Sequence, residues 1–277
     1  RDFKQVQAPP KPTTDVFDAK VIEIVNADAL MIQQLDTKAI QKIHLASIRP
    51  PKLEQKVDEE GNPIQQHVDR KTFRPLYDIP FMFEAREFLR KKLIGKVCKI
   101  KIDYIQPKSE QFPEKTCCTI IQDGQNVAEQ LLSRGLVSLV KYRSDDDQRA
   151  SDYDAFLAAE QRPQKANKGI HSNKPESGLV RIVDLSLDLA KSKSFAPFLT
   201  KQGLRRDAVV EYVFPSATKV KLYIPKENCL INLNLGGVNP IKPGEPIGPD
   251  AQTFAKLRVL QREISVEIET QDKIGNY

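Results

Sequence analysis

A set of three short β-branched segments with a proline exit occurs twice in this chain, and that duplication limits the fold more than any other feature. The first set holds Val21-Ile22-Glu23-Ile24-Val25, a turn at Asn26-Ala27-Asp28, a second segment from Ala29 to Gln34 and a third from Ala39 to Ala46. Alternation and β-branching mark these as strands, and Asn and Asp favour the turn. The stretch Lys42 to Lys52 ends in Pro50-Pro51, which have no N–H to continue a ladder, so the chain leaves the sheet there. The second set has strands at 208–214, 219–224 and 229–236, and Val238-Asn239-Pro240 repeats the exit. A repeat of this kind points to two copies of one small barrel with a site at its lip.

The order continues in parallel after the exit. In the first copy, residues 53 to 76 are charged, without periodicity, and read as a long loop. Asp78 to Leu93 reads as one helix, with Phe81, Ala85, Phe88 and Leu89 on one stripe, Pro80 in the first turn, Asp78 as N-cap and Gly95 as the stop. Cys98, Ile100 and Ile102 alternate with Lys99 and Lys101 as a fourth strand, and Thr116 to Ile121 is a fifth. A turn at Asp123-Gly124, a short helix from Asn126 to Arg134, an extended segment from Leu136 to Val140 and a helix from Ser151 to Ala166 complete it. In the second copy a helix at 250–261 precedes Ile264, Val266 and Ile268. Matching His44 to Asn234 and Ile100 to Val266 leaves the first copy 24 residues longer between its third and fourth strands, in the charged loop.

Five short strands with interspersed helices predict an OB-type Greek-key barrel in each copy, a mixed α/β fold. The expected domains are a linker at 1–17, a first barrel at 18–172, a linker at 173–179 and a second barrel at 180–277, which ends where its fifth strand should begin. The second barrel is thus expected to be incomplete, and a chain opening on Arg1 is expected to be a fragment. Arg1 to Thr14 lacks the apolar core of a signal peptide. No apolar run approaches the roughly 18 residues of a membrane span. Cys98, Cys117, Cys118 and Cys229 form no C-x-x-C pair, so a structural zinc site is not expected and free thiols are. The net charge of +6 fits either ordinary solubility or a polyanionic partner.

Several stretches resemble the staphylococcal nuclease family. They are Gly248-Pro249-Asp250-Ala251 opening a helix, Asp272-Lys273-Ile274-Gly275-Asn276 after the next strand, and Asp123-Gly124 followed by Val127 to Leu132 and Arg134-Gly135-Leu136. Ser47-Ile48-Arg49-Pro50-Pro51, Arg74 to Pro80 running on to Leu93, Tyr142 to Arg149 and Glu211 to Phe214 narrow the likeness. They are similar to the branch of that family in which tandem nuclease-like repeats precede a Tudor domain, and they match its third repeat and most of its fourth.

The resemblance implies calcium-dependent phosphodiester hydrolysis in active members. That chemistry needs clustered carboxylates for a hard cation, a carboxylate base and two guanidiniums facing the phosphate. Carried over in the first copy, the first aspartate is Asp28, the strand-three arginine is His44, the second aspartate is Arg49, the general-base glutamate is Lys52 and the second arginine is Lys115. In the second copy the same roles fall on Thr218, Asn234, Asn239, Lys242 and Asn276. Neither copy keeps a metal set or a base, so no catalysis, metal or other cofactor is expected. Asp28 reads as a turn residue before a ligand, His44 as a packed residue before a catalytic one and Tyr142 as interfacial packing before a base-stacking surface.

The replacement of acids by Arg49 and Lys52 leaves a place for phosphate without a metal. Arg70, Lys71, Arg74, Arg86, Arg90, Lys91 and Lys92 add charge on the adjoining loop and helix. The expectation is an RNA-binding and scaffold segment; an active nuclease and a pure protein-interaction platform are the alternatives. By resemblance, the parent protein would sit in cytoplasm and nucleus with partners from RNA silencing, RNA decay, splicing and transcription coactivation, and not in a membrane.

Overall fold

The computed structural model describes residues 16–53, 73–109, 113–142, 148–242 and 244–277. Its contacts cluster into two units, 1–179 and 180–277.

In the first unit β1 (Val16–Asn26), β2 (Ala29–Gln34) and β3 (Ile40–Leu45) form an antiparallel meander. After the two-residue β4 (Ile48–Arg49) come α1 (Pro75–Asp78), α2 (Met82–Leu93), β5 (Val97–Gln106) and β6 (Lys115–Gln122). Then follow β7 (Gln125–Asn126), α3 (Val127–Ser133), β8 (Ser138–Leu139) and α4 (Tyr153–Lys165). The sheet runs β3-β2-β1-β5-β6-β7 and closes because β3 also pairs with β6, in parallel, at His44–Cys117 and Leu45–Cys118. The result is a five-stranded OB barrel. Period-two alternation sends Ala19, Val21, Leu30, Ile32, Ile43, Ile100 and Ile120 inward, all fully buried. Ala85, Leu89 and Leu93 of α2 and Leu131, Leu132 and Phe156 of α3 and α4 join the same core. Each large apolar side chain so buried contributes on the order of 2 kcal/mol.

The helix expected over 78–93 is divided. Pro80 cannot donate to a helical ladder, and Phe81 stands in the left-handed region (φ 62°) as the N-cap of α2. The expected stripe survives, with Phe81, Ala85 and Leu89 buried. Asn126 caps α3, its side chain accepting from the Ala128 and Glu129 amides. Gly135 and Gly169, both at positive φ, bring α4's return against the end of α3 so closely that a Cβ on Gly169 would lie 2.0 Å from the Gly135 carbonyl oxygen.

Residues 173–179 depart from a free linker. Pro175–Gly178 is a 3₁₀ turn, and the Gly178 carbonyl accepts from the Phe81 amide at 2.9 Å. At the other end, β1 starts at Val16, inside the expected linker.

The second unit contains β9 (Val183–Asp184), α5 (Leu189–Leu199), β10 (Arg205–Val213), β11 (Lys219–Ile224), β12 (Cys229–Asn234), α6 (Gly248–Val259) and β13 (Glu263–Glu267). Its sheet order is β13-β10-β11-β12-β9. The β10–β11–β12 meander repeats the first, down to the turn: Leu235 N donates to Thr218 O at 2.8 Å as Leu45 N donates to Asp28 O at 2.8 Å. Alongside β12, the Tyr277 amide donates to Asn232 O and the Tyr277 carbonyl accepts from Asn234 N. The α5 helix has no counterpart in the sequence reading. Its end is held by Arg206, whose Nη1 lies 2.6 Å from Glu227 Oε1 while Nε and Nη2 donate to the Leu199 and Phe198 carbonyls. No described helix is long and apolar enough to cross a membrane.

Candidate functional site

The closure of β3 on β6 decides where the site lies. Asp28 ends the β1–β2 turn, and its carbonyl is tied to β3. His44 lies near the end of β3 beside Cys117, two residues after Lys115, so all three converge at one lip. Ser47, at φ 60°, turns the chain into β4, which pairs with β8 (Arg49 opposite Ser138) before Pro50 and Pro51 end the ladder. Asp28, His44, Arg49, Lys52 and Lys115 therefore line one cavity of about 1240 Å³. The five positions matched from sequence alone are brought together.

The turn is fixed by hydroxyls. Ser47 N donates to Tyr104 Oη at 3.3 Å, Ser47 Oγ lies 3.3 Å from Tyr142 Oη, and the two tyrosine hydroxyls are 3.0 Å apart. The Ala150 amide donates to Ser47 Oγ at 2.7 Å. Tyr142 also meets Tyr153 edge to face at 5.5 Å. Tyr142 is thus both a cavity wall and a packed residue.

Charge in the cavity is one-sided. Among the described residues, Lys42, Arg49, Lys52, Arg86, Lys115 and Lys141 line it, against the single carboxylate of Asp28. Burial raises the Asp28 carboxyl above its ordinary value, partly offset by a backbone hydrogen bond and by Lys115 and Lys42. Burial, helped by the Lys42 and Lys115 charges, lowers His44 to about 4, so its imidazole is neutral at physiological pH. Burial likewise raises the Cys117 thiol and the Tyr104 phenol. No ion pair within 4 Å joins Asp28 to Arg49 among the described residues. A structural Asp28–Arg49 bridge is therefore not what fills the lip.

A calcium ion does not fit this donor set. Calcium takes six to eight oxygens, several from carboxylates, and among the described lining residues one half-buried carboxylate faces six cations. Among the described residues no group of three His, Cys, Asp or Glu side chains could hold a metal.

The other expected cations divide. Arg86, 3% exposed, reaches the cavity; its guanidinium lies over Phe83 and 3.5 Å from Glu87. Arg90 does not reach it. It is buried and bidentate to Glu87, Nε–Oε1 2.9 Å and Nη2–Oε2 3.0 Å. Arg74 is turned to Asp78 at 3.5 Å and to the Tyr77 ring, and Lys91 is exposed on α2; neither lines the cavity. Lys92 lies 3.4 Å from Gln125 Oε1. Arg70 and Lys71 fall outside the described residues. Sequence reasoning missed Lys42 and Lys141. Lys42 was findable, being two residues from His44 on one strand face; Lys141, just past β8, carries no comparable signal.

In the second unit Asn234 and Lys219 pair across β11–β12 as His44 and Ala29 do across β2–β3. Thr218 holds the turn, and Asn239 and Lys242 are exposed. Asn276 is buried and locked to Asp272, donating from its amide and its side chain at 2.8 Å each. No carboxylate stands at any of these five positions.

Residues 42–173 match the family model described as Staphylococcal nuclease homologue. Over 274 residues the chain is 42% identical to the Staphylococcal nuclease domain-containing protein 1 of Drosophila melanogaster, covering 94% of this chain and 29% of that protein. It is 34% identical over 301 residues to Ribonuclease TUDOR 1 of Arabidopsis thaliana and 29% identical over 267 residues to the Schizosaccharomyces pombe Staphylococcal nuclease domain-containing protein 1. In both cases 94% of this chain is matched against 28% of the relative. The chain thus spans under a third of the length of these relatives.

Proposed function

This chain belongs to the staphylococcal nuclease homologue family, in its Tudor-SN-like branch, and from that premise we propose that its first unit binds the phosphates of RNA without hydrolysing them. One observation carries the reading: among the described residues, the lip that in active members would hold a metal among carboxylates presents six cations around one carboxylate. The Arg49 fork can hold two phosphate oxygens at once, and Lys52 beside it adds a point charge. Hydrolysis would need a second carboxylate as base or ligand, and the matched positions supply none.

Relatives bear the name Ribonuclease, and each is more than three times as long as this segment. We assign any such cleavage to parts of the protein outside residues 16–277. The repeats here would be the third and fourth of a Tudor-SN-like protein. Its proposed settings are RNA silencing, RNA decay, splicing and transcription coactivation, in cytoplasm and nucleus.

The test is a salt titration of single-stranded RNA binding by the chain, with a cleavage assay with and without calcium on the same sample. Each phosphate contact on a single strand gives a log–log slope of about −0.7. Replacing Arg49 and Lys52 by Ala should weaken binding and flatten the slope by about 1.4, that is, two contacts. Unchanged affinity and slope with lowered stability would leave only a structural role for the pair. Calcium-dependent cleavage abolished by Asp28→Ala would overturn the assignment of this segment as non-catalytic.

A further inference from the structure

Behind the cationic lip lies a second, smaller cavity of about 270 Å³, and nothing in the family's metal-dependent chemistry accounts for it. Its walls are Pro50, Pro51, Pro80, Phe81, Ile170 and Pro175, with Ser138 as the one neutral polar side chain. Arg49 and Lys52 line both cavities. Four chain segments far apart in sequence are drawn together to build it. The 3₁₀ turn at Pro175–Gly178 is fastened by the Gly178–Phe81 hydrogen bond, and a Cβ on Gly178 would lie 2.6 Å from the Phe81 ring. Phe81 itself is held in the left-handed region (φ 62°), a conformation that costs a phenylalanine energy and that the surrounding packing must impose. Ile170 is held by its amide bond to the Gly135 carbonyl at 2.8 Å, across the close Gly135–Gly169 contact.

We propose that this pocket receives the base of the nucleotide whose phosphate rests on Arg49 and Lys52. The inference rests on the phosphate-binding reading above and adds a second contact to it. Pocket size argues for one base: sites for drug-sized ligands begin at about 300 Å³, so this one is suited to a single ring system and not to a longer segment. The partly exposed faces of Pro50, Pro80 and Pro175, beside the little that buried Phe81 presents, suit a π-surface that every base carries, which makes the contact tolerant of sequence. Among the described residues the lining supplies no carboxylate, and its two cations are shared with the lip. A ligand that is anionic at one end and apolar and planar at the other matches both halves. A ligand that is apolar throughout would leave Arg49 and Lys52 unused.

The experiment compares inorganic phosphate, ribose 5-phosphate, adenosine and adenosine 5′-monophosphate on the full chain by calorimetry. Nuclear Overhauser contacts from the base protons to the Ile170 methyls provide a readout that needs no mutation. Adenosine 5′-monophosphate should bind about ten-fold tighter than ribose 5-phosphate. Ile170→Trp and Ser138→Phe, which fill the pocket without adding charge, should each abolish that ratio while leaving ribose 5-phosphate binding within about two-fold. Equal affinities for the two phosphates, with no Overhauser contact to Ile170, would overturn the base pocket and leave the phosphate site standing. Base contacts to Ile170 from adenosine, with no phosphate contribution and no effect of Arg49→Ala, would keep the pocket and overturn the phosphate reading instead.

Discussion

Removing the one negative charge from the lip should tighten RNA binding. The perturbation is Asp28→Asn, which keeps the side chain's size and its place in the β1–β2 turn. Asp28 is the sole carboxylate among the described residues lining the cavity. Two unit charges 4 Å apart interact by about 1 kcal/mol at the dielectric of water and about 4 kcal/mol at that of a protein surface. A phosphate across an open, water-filled lip stands farther away and is screened by salt, so the lower figure is the better guide. About 1 kcal/mol corresponds to roughly five-fold in affinity. The assay is fluorescence polarisation of labelled single-stranded RNA at fixed salt, at pH 7.5 and pH 5. Burial raises the Asp28 carboxyl, so the folded protein takes up this proton earlier on acidification than an ordinary aspartate would. The parent protein should therefore gain affinity relative to Asp28→Asn as pH falls, and the five-fold gap should narrow. His44 does not blur the comparison, because it stays neutral until about pH 4. The linkage sign is also fixed. The ionised, raised carboxyl costs folded-state stability above its folded pKa, so Asp28→Asn should raise Tm at pH 7.5 and lose that advantage under acid. If Asp28→Asn weakened RNA binding, or if calcium tightened it in the parent and not in the variant, Asp28 would be a cation ligand and the anion-site reasoning would be refuted.

Three further outcomes follow from the packing. Gly169→Ala should destabilise the first unit by about 2 kcal/mol or more in urea unfolding, since its Cβ has no room against the Gly135 backbone and φ is 64°. Arg206→Ala should cost the second unit about 3–5 kcal/mol by leaving Glu227 charged and buried, both side chains being at most 5% exposed, with RNA binding at the first lip unchanged. The four free cysteines are all buried, and burial pushes the Cys98 thiol up to about 11 and Cys118 and Cys229 up to about 12. A thiol reagent at pH 8 should thus label the native protein slowly and all four sites on denaturation.

What the sequence disclosed follows from which forces are local. The β2 strand was readable to the residue at Ala29–Gln34, and so was β11 at Lys219–Ile224, because period-two burial is written in the side chains themselves. Repetition then fixed the barrel, and family likeness put five residues at one lip. The division of α1 from α2 was missed because Pro80 is compatible with a first helical turn; only the docking of Phe81 under Gly178 ends one helix and starts another. Arg86 and Arg90 sit four apart on one helix and looked equivalent. Glu87 engages both, yet only Arg86 extends into the cavity, a distinction made by tertiary placement. The Ser47–Tyr104–Tyr142 hydroxyl cluster joins residues up to 95 positions apart and has no local signature.

The seam that closes the first barrel is only two residue pairs long, His44–Cys117 and Leu45–Cys118. It is also the floor of the lip, with Lys42 and His44 entering from one strand and Lys115 and Cys117 from the other. Two residue pairs, extended by the Ala46 N–Cys118 O bond at 3.0 Å, make a short latch, and local opening starts at such places before the rest of a domain gives way. A polyanion gripping Lys42 and Lys115 together would span the latch and hold it shut. Occupancy and barrel integrity are then coupled, so that whatever binds here lends the domain part of its binding energy as resistance to opening.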